Sequence, residues 1–349
     1  MRTDELKEIA RRRKLDLILV AGQANIRALT GINCDNAVLK VERVEKVEVE
    51  FYTDFRYVPM VHRVAPKLKV RDIRQLGRRH SCRRIGYESA VSHAQFLAWQ
   101  KKFPKATFVD ISADLAALRA VKTSEEIAAL RAAEKLDCEI WETARGRFKA
   151  GMTERQMARI IQKLMIERGE GEAFSTIVCV GKNAAECHHE PDDTVWNGRE
   201  PVLVDMGVKL NGVCSDLTRN LVRRASPLYR KVYQLVLKAN ETAIAAAKPG
   251  MTGKALDKVA RDVIRKGGFG RCFGHSLGHG VGYEIHEAPY ASKKGEMVLK
   301  PGMLVTIEPG IYLEDNLGVR IEDLVLITET GCEVLSSSAE KRLVNGGKA

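Results

Sequence analysis

No apolar run in this 349-residue chain approaches the roughly 18 residues that a membrane-spanning helix needs. The opening stretch, Met1 to Lys14, is charged and lacks the apolar segment and small-residue cleavage site of a secretory signal, so a cytoplasmic location is expected. Eight cysteines are scattered with no CxxC pair, which argues against a disulfide framework and gives no zinc-ribbon spacing. Most are expected to be buried as small hydrophobes. Acidic excess is absent too: the net charge is +12. Residues 1–120 hold 24 Lys and Arg against 14 Asp and Glu, a surplus of ten, and the remainder is close to balanced. The stretch Arg63–Arg84 has nine basic residues and one acid, Asp72. No recognition motif accompanies that charge, so a solvated face is expected there rather than a nucleic-acid surface.

What is present is ordinary for a globular protein: 45% hydrophobic and 29% charged residues. The length suits two domains. In the first, apolar runs at Leu17–Val20, Val47–Phe51 and Ala106–Val109 read as strands separated by charged helical stretches, which predicts an α/β domain. The texture changes near Val121. Thr123 with Glu126 spells a capping box, and Ile127, Leu130, Ala133, Leu136 and Ile140 follow at helical spacing. The boundary is placed here, giving domains 1–122 and 123–349.

The second part contains an internal duplication. Gly151-Met152-Thr153 recurs as Gly250-Met251-Thr252, and Met157, Ile160, Leu164 and Met165 match Leu256, Val259, Val263 and Ile264 at the same offset of 99 residues. Each stretch reads as an amphipathic helix ending near a glycine, Gly169 or Gly267. Val204-Asp205-Met206-Gly207 then resembles Ile307-Glu308-Pro309-Gly310, and Gly212-x-x-x-Asp216 resembles Gly318-x-x-x-Glu322. Each half therefore reads as helices followed by a hairpin that bears two acids.

Asn211-Gly212 is a two-residue hairpin signal. With that turn Asp216 faces Gly207, two residues from Asp205; with the turn at Leu210-Asn211, Asp216 faces Asp205 itself. Either register puts both carboxylates on one side of the ribbon. Glu308 and Glu322 repeat the arrangement. Four converging carboxylates without positive partners are too costly to bury, so a pair of divalent cations is the natural solution. Five of the eight histidines, at 188, 189, 275, 279 and 286, lie near these acids, and His279 is flanked by glycines that let a metal approach. His62, His80 and His93 are read as ordinary core or surface residues.

Residues 125–345 resemble the pita-bread metallopeptidases, which include methionine aminopeptidase, aminopeptidase P and prolidase. The strings Val-Asp-Met-Gly, Cys-Ser-Asp-Leu-Thr-Arg, Gly-His-Gly-Val-Gly, Ile-Glu-Pro-Gly-Ile-Tyr and Val-Arg-Ile-Glu-Asp carry the likeness. The resemblance implies an α+β catalytic domain with pseudo-twofold duplication, holding two metals on Asp205, Asp216, His279, Glu308 and Glu322. Asp205 would chelate one ion, His279 and Glu308 the other, with Asp216 and Glu322 bridging and a bridging hydroxide attacking the scissile carbonyl. Glu308 would be general base and acid, and His188 and His286 would donate hydrogen bonds to the substrate amide and oxyanion. Manganese is expected, with cobalt, zinc or iron as alternatives.

The N-terminal domain points to a branch. Ala-Asn-Ile-Arg-Ala-Leu-Thr-Gly at 24–31 and the junction at 118–127 resemble aminopeptidase P, prolidase and creatinase. His275, Tyr312 and Arg320 match residues that line the site around a proline-containing peptide in that branch. An Xaa-Pro aminopeptidase is expected first, with a prolidase as the alternative and a non-catalytic binding module using the basic N-domain as a reading of another class. The intact ligand set weighs against that last reading. A homodimer is expected by analogy. Two departures stand out: Cys187 where the family usually has proline before His188, and Val213 where tyrosine is common before Cys-Ser-Asp.

Overall fold

The computed structural model describes residues 2–42, 48–77 and 82–343. His80 lies outside them, as does part of the basic Arg63–Arg84 stretch. The chain divides into two compact units, residues 1–119 and 120–349.

The first unit is a six-stranded mixed sheet in the order Lys69–Asp72, Glu48–Thr53, Ala37–Glu42, Leu17–Val20, Arg84–Tyr87, Thr107–Asp110. Leu17–Val20 is buried along its whole length, as its unbroken apolar run requires for a strand covered on both faces. It runs antiparallel to Ala37–Glu42 and parallel to Arg84–Tyr87. Helices such as Gln23–Thr30 and His93–Lys102 connect the strands and cover two apolar clusters, one around Ile18 and Phe51 and one around Leu17 and Trp99. The expected α/β domain is observed. Part of the basic charge is neutralised within the sheet: Glu50 faces Lys40 on one neighbouring strand and Lys69 on the other, and it also accepts from Arg71 Nε at 3.1 Å and Tyr52 Oη at 2.8 Å.

The second unit is built twice over. Helices Ser124–Arg147 and Glu154–Arg168 precede a three-stranded sheet of Ile177–Val180, Val202–Met206 and Leu217–Leu221. Helices Pro227–Ala246 and Gly253–Lys266 precede a second of Leu304–Ile307, Asp323–Ile327 and Cys332–Val334. The helix starts follow their sequence signatures: Thr123 with Glu126 and Thr153 with Gln156 both form capping boxes. The duplicated apolar positions turn inward, with Met157, Met165, Leu256 and Ile264 all fully buried.

Both hairpin registers are regular. Asn211 and Gly212 adopt φ values of 53° and 71°, the left-handed pair that a tight two-residue turn demands. Val213 then pairs with Leu210, and Thr218 with Asp205. Of the two registers open to the sequence, this is the one that sets Asp216 across from Gly207. In the second half, the pairs Ile307–Asp323 and Gly310–Arg320 place Glu308 directly across from Glu322. The acid pairs of the two halves are thus offset by two residues in one hairpin and opposed in the other.

Candidate metal centre and active-site cavity

A cavity of about 520 Å³ opens over the acids. Its wall includes all five expected ligands together with His188, His275, His286 and Arg320. Asp216, His279 and Glu322 each bring a donor atom to within 4.8 Å of the others. His279 Nε2 lies 3.5 Å from Asp216 Oδ2 and 3.3 Å from Glu308 Oε1.

Local structure aims each side chain. His279 sits in the short strand Gly278–Gly280, packed so closely on the next strand that a Cβ on Gly278 would fall 1.9 Å from the Thr306 carbonyl oxygen. Only glycine permits that approach. The His279 N–H donates to Thr306 Oγ1 at 3.0 Å, and Thr306 Oγ1 donates to Glu308 Oε1 at 3.1 Å, so one threonine orients two ligands. His279 Nδ1 is 3.1 Å from the Gly280 carbonyl. That contact suits a proton on Nδ1 and leaves Nε2 with a free lone pair facing the acids.

The electrostatics call for cations. Burial pushes the Asp216 carboxyl well above the usual range, reinforced by the nearby carboxylates of Glu322, Asp205 and Glu308. Glu322 is raised well above its range for the same reasons, and burial raises Asp205 as well. Asp205 Oδ1 is buried with no hydrogen-bond partner. A carboxylate–imidazole cluster with an orphaned buried oxygen fits a pair of divalent ions, which would supply the missing partner and offset the repulsion. The oxygen-rich donor set with a single imidazole does not choose one transition metal over another.

The three residues expected to line a proline pocket divide. His275 and Arg320 face the cavity, whereas Tyr312 lies behind them, with its Oη 2.9 Å from His275 Nε2 and accepting from Arg320 Nη1 at 2.8 Å. Arg320 Nη2 also donates to Asp205 Oδ2 at 2.5 Å. His286 packs edge-on against His279, ring centroids 4.3 Å apart. Cys187 lines the cavity, so this departure from the expected pattern bears on the pocket's shape; Val213 is buried in a hydrophobic cluster away from it.

Several residues around the site had no role assigned from the sequence. Glu134 and Asp137, on the buried face of helix Ser124–Arg147, stand behind the ligands: Glu134 Oε2 accepts from the Asp216 N–H at 3.2 Å and Asp137 Oδ2 from Ser215 Oγ at 2.8 Å. Burial lifts Glu134 to about 8. Lys122 and Glu287 form a buried ion pair one residue from His286. His189, beside His188, bonds to Glu154. Glu134, Asp137 and Glu287 share one feature: an ionisable residue at a helix or strand position where an apolar one would serve packing better.

The chain belongs to metallopeptidase family M24, whose family model matches residues 128–329; a second model, the Creatinase/Prolidase N-terminal domain, matches residues 2–121. It is therefore a hydrolase with a pita-bread catalytic domain, and the binding-module reading loses its support. An Xaa-Pro dipeptidase of Pyrococcus furiosus is 40% identical over 261 residues, covering 74% of this chain and 75% of that protein. Among solved structures, an Xaa-Pro dipeptidase from Bacillus anthracis superposes with a TM-score of 0.90 at 29% identity, covering 98% of each chain. An X-Pro aminopeptidase from Thermotoga maritima gives 0.83 at 30% identity, covering 94% of this chain and 97% of that one. No described helix is long and apolar enough to cross a membrane.

Proposed function

We propose that the chain is an Xaa-Pro dipeptidase, a prolidase, with residues 1–122 as its accessory domain and 123–349 as its catalytic domain. The reading rests on the convergence of Asp216, His279, Glu308 and Glu322 beside Asp205 in one cavity. Its volume of about 520 Å³ is in the range of small-molecule sites. The sequence alone ranks an aminopeptidase on longer peptides first. The Pyrococcus and Bacillus relatives, both dipeptidases by name, reverse that order. The Thermotoga structure keeps the aminopeptidase as the second reading.

Asp205 would chelate one ion, His279 and Glu308 the other, with Asp216 and Glu322 shared between them. When bound, the ions supply an acidified water and polarise the scissile carbonyl. Glu308 Oε1, held by Thr306, would carry a proton from the attacking water to the leaving proline nitrogen. His188 and His286 reach the cavity from opposite halves and donate to the substrate amide and the developing oxyanion. His275 and Arg320 face the proline end, with Tyr312 tying their side chains together. Proline lacks an amide hydrogen and has a fixed φ, so a wall of side chains that recognises the ring suits it better than a backbone grip.

Metal-stripped protein reloaded with manganese, cobalt, zinc or iron, then assayed on Xaa-Pro dipeptides, longer Xaa-Pro peptides and Xaa-Ala dipeptides, tests the proposal. Preference for Xaa-Pro dipeptides is expected. Faster cleavage of longer peptides would move the assignment to the aminopeptidase, and equal cleavage before alanine would remove the proline specificity.

A further inference from the structure

Glu154 stands at the start of helix Glu154–Arg168 and is fully buried. Its two oxygens are saturated. Oε1 accepts from the Val180 N–H at 2.6 Å and Asn183 Nδ2 at 2.9 Å; Oε2 meets His189 Nε2 at 2.7 Å and accepts from the Asp192 N–H at 3.1 Å. On its other side the His189 ring presents Nδ1 to Glu186 Oε2 at 3.1 Å. The donors to Glu154 bracket residues 180–192, the segment that brings His188 into the cavity.

Glu154, His189 and Asp192 could place donor atoms within 4.8 Å of one another, as a metal site would require. The hydrogen bonds argue otherwise. A carboxylate has about four lone-pair sites, and four donors already occupy those of Glu154. A cation there would break buried bonds to the backbone, leaving Val180 and Asp192 N–H groups unpaired. The cluster is built to fasten a segment, not to hold an ion.

For one imidazole to satisfy carboxylates on both sides, both ring nitrogens must donate, which means the charged form. Burial works against that charge, but the hydrogen bonds to Glu154 and Glu186 and the nearby charge of Asp192 outweigh it and raise the His189 pKa. Those three acids are the ionisable groups that act on the ring.

We propose that His189, clamped between Glu154 and Glu186, is a positioning residue: in its doubly protonated form it fixes the 180–192 segment so that His188 meets the substrate. The inference rests on the assignment of His188 as a substrate-binding group made above. As pH rises through the raised pKa of His189, one of its two donations is lost. The bond to exposed Glu186 yields first, because Glu154 is buried and cannot exchange His189 for water.

The test is a double-mutant cycle on the metal-loaded enzyme, with His188→Ala, His189→Gln and the double variant, reading kcat and KM on Xaa-Pro dipeptides, metal content and thermal unfolding from pH 5.5 to 9. His189→Gln is expected to keep its metals, to unfold at a somewhat lower temperature at the acid end of the range, and to lose about tenfold in kcat/KM, since small misplacements of a binding group are costly. The ratio of wild-type to His189→Gln activity should be largest at low pH and shrink as pH rises. The double variant should be no worse than His188→Ala alone. Losses that multiply in the double variant, or a ratio flat in pH, overturn the proposal. Should His189→Gln fail to fold, Glu186→Ala, which removes only the exposed carboxylate, carries the same cycle with a smaller expected loss and the same overturning result. A wild-type enzyme inactive on every Xaa-Pro peptide overturns the functional reading instead, whereas multiplying losses in an active enzyme overturn the clamp alone.

Discussion

Arg320 and Asp205 form a 2.5 Å ion pair on the cavity wall, with Arg320 almost wholly buried. The arginine thus contacts an expected metal ligand and faces the substrate space at once. Because Asp205 Oδ1 remains open for a cation, Arg320 is expected to serve substrate more than metal. Arg320→Met should therefore retain two metals per chain by elemental analysis while kcat/KM falls by about a hundredfold. A variant stripped of metal would make Arg320 a strut of the metal site.

Asp216→Ala and Glu322→Ala should each lose activity and most of the bound metal. A carboxylate shared between two cations neutralises both, and without it they repel across the site. Metal content decides this. A fully loaded, active Glu322→Ala protein would contradict the bridging role.

His188→Ala and His286→Ala should keep their metals and lose catalysis. The expected deficit is about 2.7–4 kcal/mol of transition-state stabilisation for each donor removed. If either variant loses metal in proportion to activity, that histidine is a ligand and its assigned role is wrong.

The first unit makes a separate, pH-dependent prediction through Glu50. Burial alone would raise its carboxyl, but hydrogen bonds from Lys69, Tyr52 and Arg71 and the charge of Lys40 bring it down to about 2, from an ordinary 4.5. A depressed carboxylate contributes stability that is present above pH 4.5 and lost as pH falls towards 2. Glu50→Gln should unfold at lower denaturant concentration than the wild type at neutral pH. The gap should close as the titration descends through that window. A gap that persists unchanged at pH 2.5 would show that Glu50 acts by packing.

Much of this architecture could be read in advance from local rules. Asn211-Gly212 announced a turn, Thr123-Glu126 a helix start, and the repeat from Gly151 to Gly250 an internally duplicated unit, because turns, caps and amphipathic periods depend on a few neighbouring residues. The acids were legible for another reason: four in matching register admit few explanations besides a metal pair. Local rules could not choose between the two registers open to Asp205 and Asp216; pairing along the whole strand did. Nor could they find Glu134, Asp137 or Glu154. A glutamate in a helix looks like a solvated residue until tertiary packing shows which face it occupies, and the partners of Glu154 lie 26 to 38 residues away. Tyr312 was assigned to the pocket by likeness, but the space in front of it is taken by His275 and Arg320.

The offset between the two hairpins has a consequence for how the catalytic unit holds together. Each half supplies an acid pair, and the strands that carry them meet side by side: Thr218 Oγ1 donates to Glu322 Oε2 at 2.7 Å, and Asn220 Nδ2 to the Arg320 carbonyl at 2.7 Å. Ions shared by Asp216 and Glu322 would therefore be cross-links between sequence segments about a hundred residues apart, closing a long loop without a covalent bond. By mass action, such a tie adds to global stability in proportion to the logarithm of free metal over its dissociation constant.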